Sequence, residues 1–253
     1  SEEFIHMLFK QGRMHPEISS FSNEIFYEKK LKPIPLKHQL EILHCPSYDK
    51  SDGLQNLIAS HRLAFIVSKG DKNPISDKTN KDEAIRISAL LKTIYTINKN
   101  NFNPQTVGVI VPYRNQIALI RKEIKQLNIP ALSDITIDTV ERYQGSERDF
   151  IIYGFTVQKI YQLEFLTGNV FKDNGQTIDR KLNVVLTRAR KQLFLIGNPQ
   201  ILSYNIIFQK LIKFIDNRQG VCDIPTEYFI QGKFSCSPAD KTSVPDSRQK
   251  LNV

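Results

Sequence analysis

A chain of 253 residues, 40% of them hydrophobic and 24% charged, can bury a full core and has room for one large or two small domains. The formal net charge of +9 favours a polyanionic partner, nucleic acid first and a membrane surface second. Cys45, Cys222 and Cys236 are odd in number and widely spaced, which argues against a disulfide framework or a zinc site and fits a reducing, cytoplasmic setting; no apolar run approaches the roughly 20 residues of a membrane span.

Ser1 to Lys10 reads as a short helix, and its opening without an initiator Met reads as the start of a piece of something longer. After Gln11-Gly12-Arg13-Met14-His15-Pro16, the spacing of Ile18, Phe21, Ile25 and Phe26 predicts a helix over 17–27. Pro16 suits its first turn, where the missing N–H is not needed. Pro33, Pro35 and Pro46 predict an irregular stretch over 31–60. A buried strand follows over 62–68, then a polar loop. Asn80 and Glu83 read as a reciprocal cap for a helix reaching about Ile97. Residues 106–111 form the next strand, ended by Pro112, and 114–127 an amphipathic helix with Arg121, Lys122 and Lys125 outside. Strands are expected over 134–139 and 150–157, with 159–177 an insert of no assigned role.

The stretch from Asp179 to Gly197 reads as a helix running into a buried strand. Leu182, Val185, Leu186 and Ala189 recur at helical spacing, which places Arg188 and Arg190 on opposite flanks of one stripe. On periodicity alone these arginines fit a solvated surface as well as a ligand site. Leu193 to Ile196 suits a parallel strand covered on both faces. A last helix is expected over 201–215, and from Asn217 the pattern decays into a partly ordered tail. The alternation of strands and helices is that of an α/β domain with a mainly parallel sheet flanked by helices.

In such sheets ligands gather beyond the carboxyl ends of the strands. There the sequence places Tyr113-Arg114-Asn115-Gln116, Asp138-Thr139 running on to Gln144-Gly145-Ser146-Glu147, and Thr156. Hydroxyls, amides and an arginine suit phosphodiester contacts. Gly145 lets backbone N–H groups approach a phosphate, and Glu147 can accept from a ribose hydroxyl; a plain turn explains Gln-Gly-Ser-Glu equally well. The chain has no Gly-x-x-x-x-Gly-Lys-Ser/Thr phosphate loop and no acid pair after a strand to hold Mg²⁺.

Four segments carry a resemblance. Gln11 to Pro16 resembles the Gln-Tyr-Arg-Met-His-Pro motif of superfamily 1 helicases, in the branch of the up-frameshift and replication helicase–nuclease proteins. Val109-Ile110-Val111-Pro112-Tyr113-Arg114-Asn115-Gln116 is similar to the motif that follows. Asp138 to Asp149 resembles motif V, and Leu182 to Arg190 motif VI. The four stand in the family's order over 11–197. The resemblance implies a RecA-like domain of the P-loop NTPase type, the second motor half of such a helicase, over residues 1–216 with its α/β core at 61–216 and a tail at 217–253.

The resemblance further implies ATP, with Mg, held mainly by a first RecA-like domain across a cleft. Arg188 would be the arginine finger and Arg13 a second γ-phosphate contact. Gln144, Gly145 and Glu147 would meet phosphate and ribose. Tyr113, Arg114, Gln116, Thr139 and Thr156 would line a track for single-stranded nucleic acid, DNA ahead of RNA. Gly12 departs from the family, which has at that position a tyrosine expected to stack on adenine. The alternative is a degenerate helicase half that grips single strands without turnover.

Overall fold

The computed structural model describes residues 10–43, 48–71, 74, 76–143, 145–168, 170–173 and 176–231, with backbone alone for 170–173, 176–180 and 231. Of the helix expected over 1–10, residues 1–9 lie outside the described residues, and Lys10 is a strand residue paired with Lys32.

Six parallel strands form the central sheet. They are β3 (Leu63–Val67), β4 (Val107–Val111), β5 (Thr136–Thr139), β6 (Arg148–Gly154), β9 (Ala189–Gly197) and β10 (Val221–Cys222), in the order β10-β3-β9-β6-β4-β5. Two small sheets lie beside it: β1 (Lys10–Gln11) with β2 (Lys32–Pro33), and the hairpin of β7 (Val170–Asp173) and β8 (Gln176–Asp179). Side chains alternate across the sheet, so each strand feeds two cores. Ile151, Tyr153, Leu193 and Leu195 pack with α1 (Pro16–Phe26), α7 (Arg180–Leu186) and α9 (Ile206–Asp216). Phe150, Ile152, Phe194 and Ile196 pack with α3 (Gly53–Ser60), α4 (Lys81–Ile97) and α5 (Arg114–Gln126). Short helices α2 (Lys37–Leu40), α6 (Leu163–Thr167), α8 (Pro199–Leu202) and α10 (Thr226–Gln231) complete the chain.

The mainly parallel α/β architecture is as the sequence predicts; several boundaries are not. The stretch over 31–60 expected to be irregular contains α3, because Asp52 Oδ1 accepts from the N–H groups of Leu54 and Gln55 and caps a helix clear of the prolines. The expected helix over 201–215 is broken, because Asn205 caps a new start by accepting from Ile207 and Phe208. Helix α7 stops at Leu186 and Ala189 opens β9, so Arg188 lies in the turn between them and Arg190 on a strand. The two arginines therefore do not flank one helical stripe. Beyond residue 216, in the segment expected to be partly ordered, the chain adds β10 to the sheet edge and places Cys222, Ile224 and Phe229 in the core. The insert over 159–177 holds α6 and the β7–β8 hairpin.

Asn80 caps α4 by accepting from Glu83 N at 3.1 Å, but the reciprocal half of the expected capping box is missing. The Glu83 carboxyl turns inward instead, accepting from Thr156 N at 2.8 Å and lying 3.2 Å from Ser68 Oγ. It thereby ties α4 to the ends of β3 and β6. Burial pushes its pKa up to about 8, outweighing the hydrogen bonds, which act in the opposite direction.

Tyr143, also buried, fills the space over β4: a Cβ on Gly108 would come within 1.7 Å of its hydroxyl. Only glycine admits the ring.

Two outcomes are expected. The folded state keeps Glu83 protonated up to about pH 8 while the unfolded chain ionises near pH 4.5, so folding takes up a proton between those values. Stability therefore falls as pH rises from 5 to 8, and urea titrations of Glu83→Gln should lack that part of the fall. Gly108→Ala should lose about 1–3 kcal/mol by the same measurement, the usual cost of overpacking.

Candidate functional site

Because all six strands run in parallel, the sheet has one amino edge and one carboxyl edge, and the predicted site residues divide between them. At the amino edge, β6 and β9 start side by side, with Arg148 opposite Ala189 and Arg148 N donating to Arg188 O at 3.1 Å. This brings the loop before β6, with Gly145 and Glu147, against the turn holding Thr187 and Arg188. Gly145 and Glu147 thus sit at the amino edge, not at the carboxyl edge where the sequence reading put them. The chain between Thr139 and Arg148 returns from the carboxyl end of β5 to the amino end of β6, since both run parallel to β4, and a strand end in sequence need not be near the next strand's end in space. Gln144 lies outside the described residues.

The Gln11–Pro16 segment reaches the same edge. Gln11 Oε1 accepts from Arg13 N and Met14 N at 3.0 and 2.8 Å, and Gln39 and His38 hold the carbonyls of Gln11, Arg13 and Met14, so the turn is fixed from within. His15 N donates to Arg190 O at 2.9 Å and docks the turn on β9. Arg13 Nε is then 2.8 Å from Glu147 Oε2, and its Nη1 donates to Thr187 O at 3.3 Å. Gln11, Gly12, Arg13, Met14, Glu147 and Thr187 line an open cavity of about 420 Å³.

Arg188 lies beside this cavity but below the surface, 7% exposed, with its Nε lacking a hydrogen-bond partner. Burial lowers its pKa first, the Arg13 charge lowers it further, and Glu147 and Tyr143 oppose both. A guanidinium stays charged under such conditions, so this cation is short of partners. Arg190 behaves differently. It is half-exposed on β9 between Glu147, at 3.9 Å, and Asp149, at 3.7 Å. Gly145 is exposed with a φ of +84°, and a Cβ there would meet nothing within 4 Å.

These features fit a nucleoside triphosphate: a buried cation short of partners, a second cation at the rim, and an acceptor in Glu147. They do not make a metal site. Among the described residues no group of three or more His, Cys, Asp or Glu side chains could hold an ion.

The residues expected to line a nucleic-acid track gather at the carboxyl edge, but four of the five are buried. Gln116 is fully enclosed, with Oε1 accepting from Asn80 N at 2.8 Å and Nε2 donating to Asn80 O at 2.9 Å. Its amide is spent on α4 and offers nothing to a ligand. Thr156 is also enclosed, held by Glu83 with a φ of 57°, an unusual backbone for a β-branched residue. Thr139 is 8% exposed, and Tyr113 lies under Phe165, stacked at 5.0 Å between ring centroids. Arg114 is exposed.

What sequence reading missed is the first turn of α4. Asn80 Nδ2 donates to Lys69 O, and Asp82 Oδ2 accepts from Lys69 N at 2.7 Å. Gln158, after β6, donates to Thr79 O and accepts from Asp71 N. With Glu83 and Gln116, this turn ties the loops after β3, β4 and β6 together. Apart from the Asn-x-x-Glu spacing, the sequence carries no signal for it.

A family model described as AAA domain matches residues 1–200. Among curated proteins, the chain is 28% identical over 84% of its length to an uncharacterized ATP-dependent helicase of Methanocaldococcus jannaschii, of which it covers 29%. It is 25% identical over 85% of its length to the DNA replication ATP-dependent helicase/nuclease of Homo sapiens, covering 21%, and 26% identical over 83% to a regulator of nonsense transcripts 1 homolog of Drosophila melanogaster, covering 16%. The chain thus spans under a third of the length of these relatives. The family model covers residues 1–200, so the chain belongs to the AAA domain family, and its four ordered motifs and its relatives are similar to those of superfamily 1 helicases.

Proposed function

We propose that this chain is the second, C-terminal motor half of an ATP-dependent nucleic-acid helicase. Its amino edge forms one wall of a nucleotide cleft whose phosphate loop and Mg²⁺ ligands belong to a first RecA-like domain. The observation that carries this reading is Arg188, a buried guanidinium with an unpartnered Nε beside the Arg13–Glu147 cavity. A cation held out of water and short of partners is poised to meet charge that develops on a transferred phosphoryl group. Arg13 faces the same cavity on a turn braced by Gln11, and gives a second contact once its pairing with Glu147 loosens. Glu147 can then accept from a ribose hydroxyl, and the backbone at Gly145, with no side chain in the way, can approach a phosphate oxygen. ATP, when bound, supplies the phosphoryl transfer; these residues orient it and stabilise its charge.

The partner proposed is single-stranded nucleic acid, DNA ahead of RNA. The names of the relatives span DNA replication and nonsense transcripts. A single-strand-binding module without turnover is the second reading, favoured by Gly12: a Cβ there would lie 3.1 Å from Leu36 Cδ1, so the place of a stacking ring is partly filled by aliphatic carbon.

In the full-length protein, Arg188→Ala should lower nucleic-acid-stimulated ATP hydrolysis by about 10³-fold or more with ATP binding largely kept, as for loss of an arginine finger. Near-normal turnover in that variant would sink the assignment, and a wild-type protein that binds single strands without hydrolysing ATP would favour the second reading. The 253-residue chain alone should hydrolyse no ATP, since it has no phosphate loop; Arg188-dependent hydrolysis by it would contradict the division of the cleft between two domains.

A further inference from the structure

The track residues expected from the motifs are mostly buried, which raises the question of what a single strand would touch at the carboxyl edge. Among the exposed cations on or beside the loops that the first turn of α4 ties together are Lys69, Lys81 and Arg114. Lys69 follows Ser68, and its backbone is held at both ends, by Asp82 and by Asn80. Lys81 is the first residue of α4, between the capping Asn80 and Asp82. Arg114 is the first residue of α5, two positions before Gln116, whose amide is locked on the Asn80 backbone. These hydrogen bonds fix the three backbones relative to one another.

Their charges have no local answer. Among the described residues none of the three side chains makes an ion pair, whereas Arg13, Arg190 and Lys191 at the amino edge all face carboxylates. Three of the acids close to them in sequence are engaged elsewhere: Asp82 with Arg86 at 2.8 Å and Thr226, Glu83 inside the core, and Asp77 with Lys159 and Tyr161. Lys81 and Arg114 also occupy first helical positions, where the helix dipole disfavours positive charge. Stability alone would not put cations at those two positions.

We propose that Lys69, Lys81 and Arg114 form the phosphate-contact track for single-stranded nucleic acid, an assignment that rests on the helicase reading above. Gln116, Glu83 and Asn80 are positioning residues that hold this track without touching the strand.

Single-strand affinity of the full-length protein is the test, read by fluorescence anisotropy of a labelled oligo(dT) of about 20 nucleotides over about 50–300 mM KCl. Each phosphate contact on a single strand contributes about 0.7 to the slope of log affinity against log salt, so Lys69→Ala, Lys81→Ala and Arg114→Ala should each flatten it by about that amount and the triple variant by about 2. Arg114→Lys should keep the slope. Lys92→Ala, an exposed cation farther along α4, should also leave it unchanged, which separates contact from net charge. Lys81→Ala should melt no lower than wild type, because it removes a cation from the helix start. An unchanged slope in the triple variant, or equal flattening by Lys92→Ala, overturns the assignment while leaving the motor reading intact. A wild-type protein with no salt-dependent single-strand binding overturns both.

Discussion

The pairing of β6 with β9 is the constraint on which both ends of the molecule depend. The two strands run in parallel from Arg148 opposite Ala189 to Gly154 opposite Ile196. That register sets the loop carrying Gly145 and Glu147 beside the turn carrying Arg188 at one edge. At the other edge it sets the backbone N–H of Thr156 on the Glu83 carboxyl. Slipping the register by one residue would exchange the faces of Phe150, Ile151, Ile152 and Tyr153 between the two cores, so hydrophobic burial on both sides of the sheet holds it in place. The geometry of the polar edges is thus fixed by apolar packing between them.

The two edges handle charge in different ways. At the amino edge, Arg13, Arg190 and Lys191 alternate with Glu147 and Asp149 at the surface, where water screens each pair and exchange for a ligand costs little. Arg188 is set apart from that network by its depth. At the carboxyl edge the exposed cations Lys69, Lys81 and Arg114 stand over enclosed neutral groups: the amides of Asn80 and Gln116, and the carboxyl of Glu83 that burial keeps protonated. Enclosed hydrogen bonds of this kind make a rigid mount, because leaving any of them unmade costs the full desolvation of a buried polar group.

Gly12 and Gly108 show how glycine serves two purposes in one fold. At Gly108 the missing side chain admits Tyr143, which bridges the return from β5 to β6. At Gly12 it leaves a rim position of the amino-edge cavity where Leu36 and Ile34, both partly exposed, approach the backbone. Neither role requires an unusual backbone angle; both depend on what packs against the residue.

Much of the fold was legible in the sequence. Continuous apolar runs such as Ala64–Val67 and Leu193–Ile196 suit strands covered on both faces, Pro16 and Asn80 start helices by local hydrogen-bond logic, and four motifs in order point to one family. What the sequence left open was set by contacts remote along the chain. Whether Glu147 lies at the amino or the carboxyl edge depends on how the chain crosses the sheet between Thr139 and Arg148. That Gln116 and Thr156 are buried depends on α4, which approaches them from 36 and 73 residues away. That Arg188 stands in a turn and not on a helix depends on β9 beginning at Ala189 to pair with β6. Periodicity and caps report only a residue's near neighbours; depth and the edge on which a side chain sits follow from the direction and register of strands far apart in sequence, which only the packed sheet fixes.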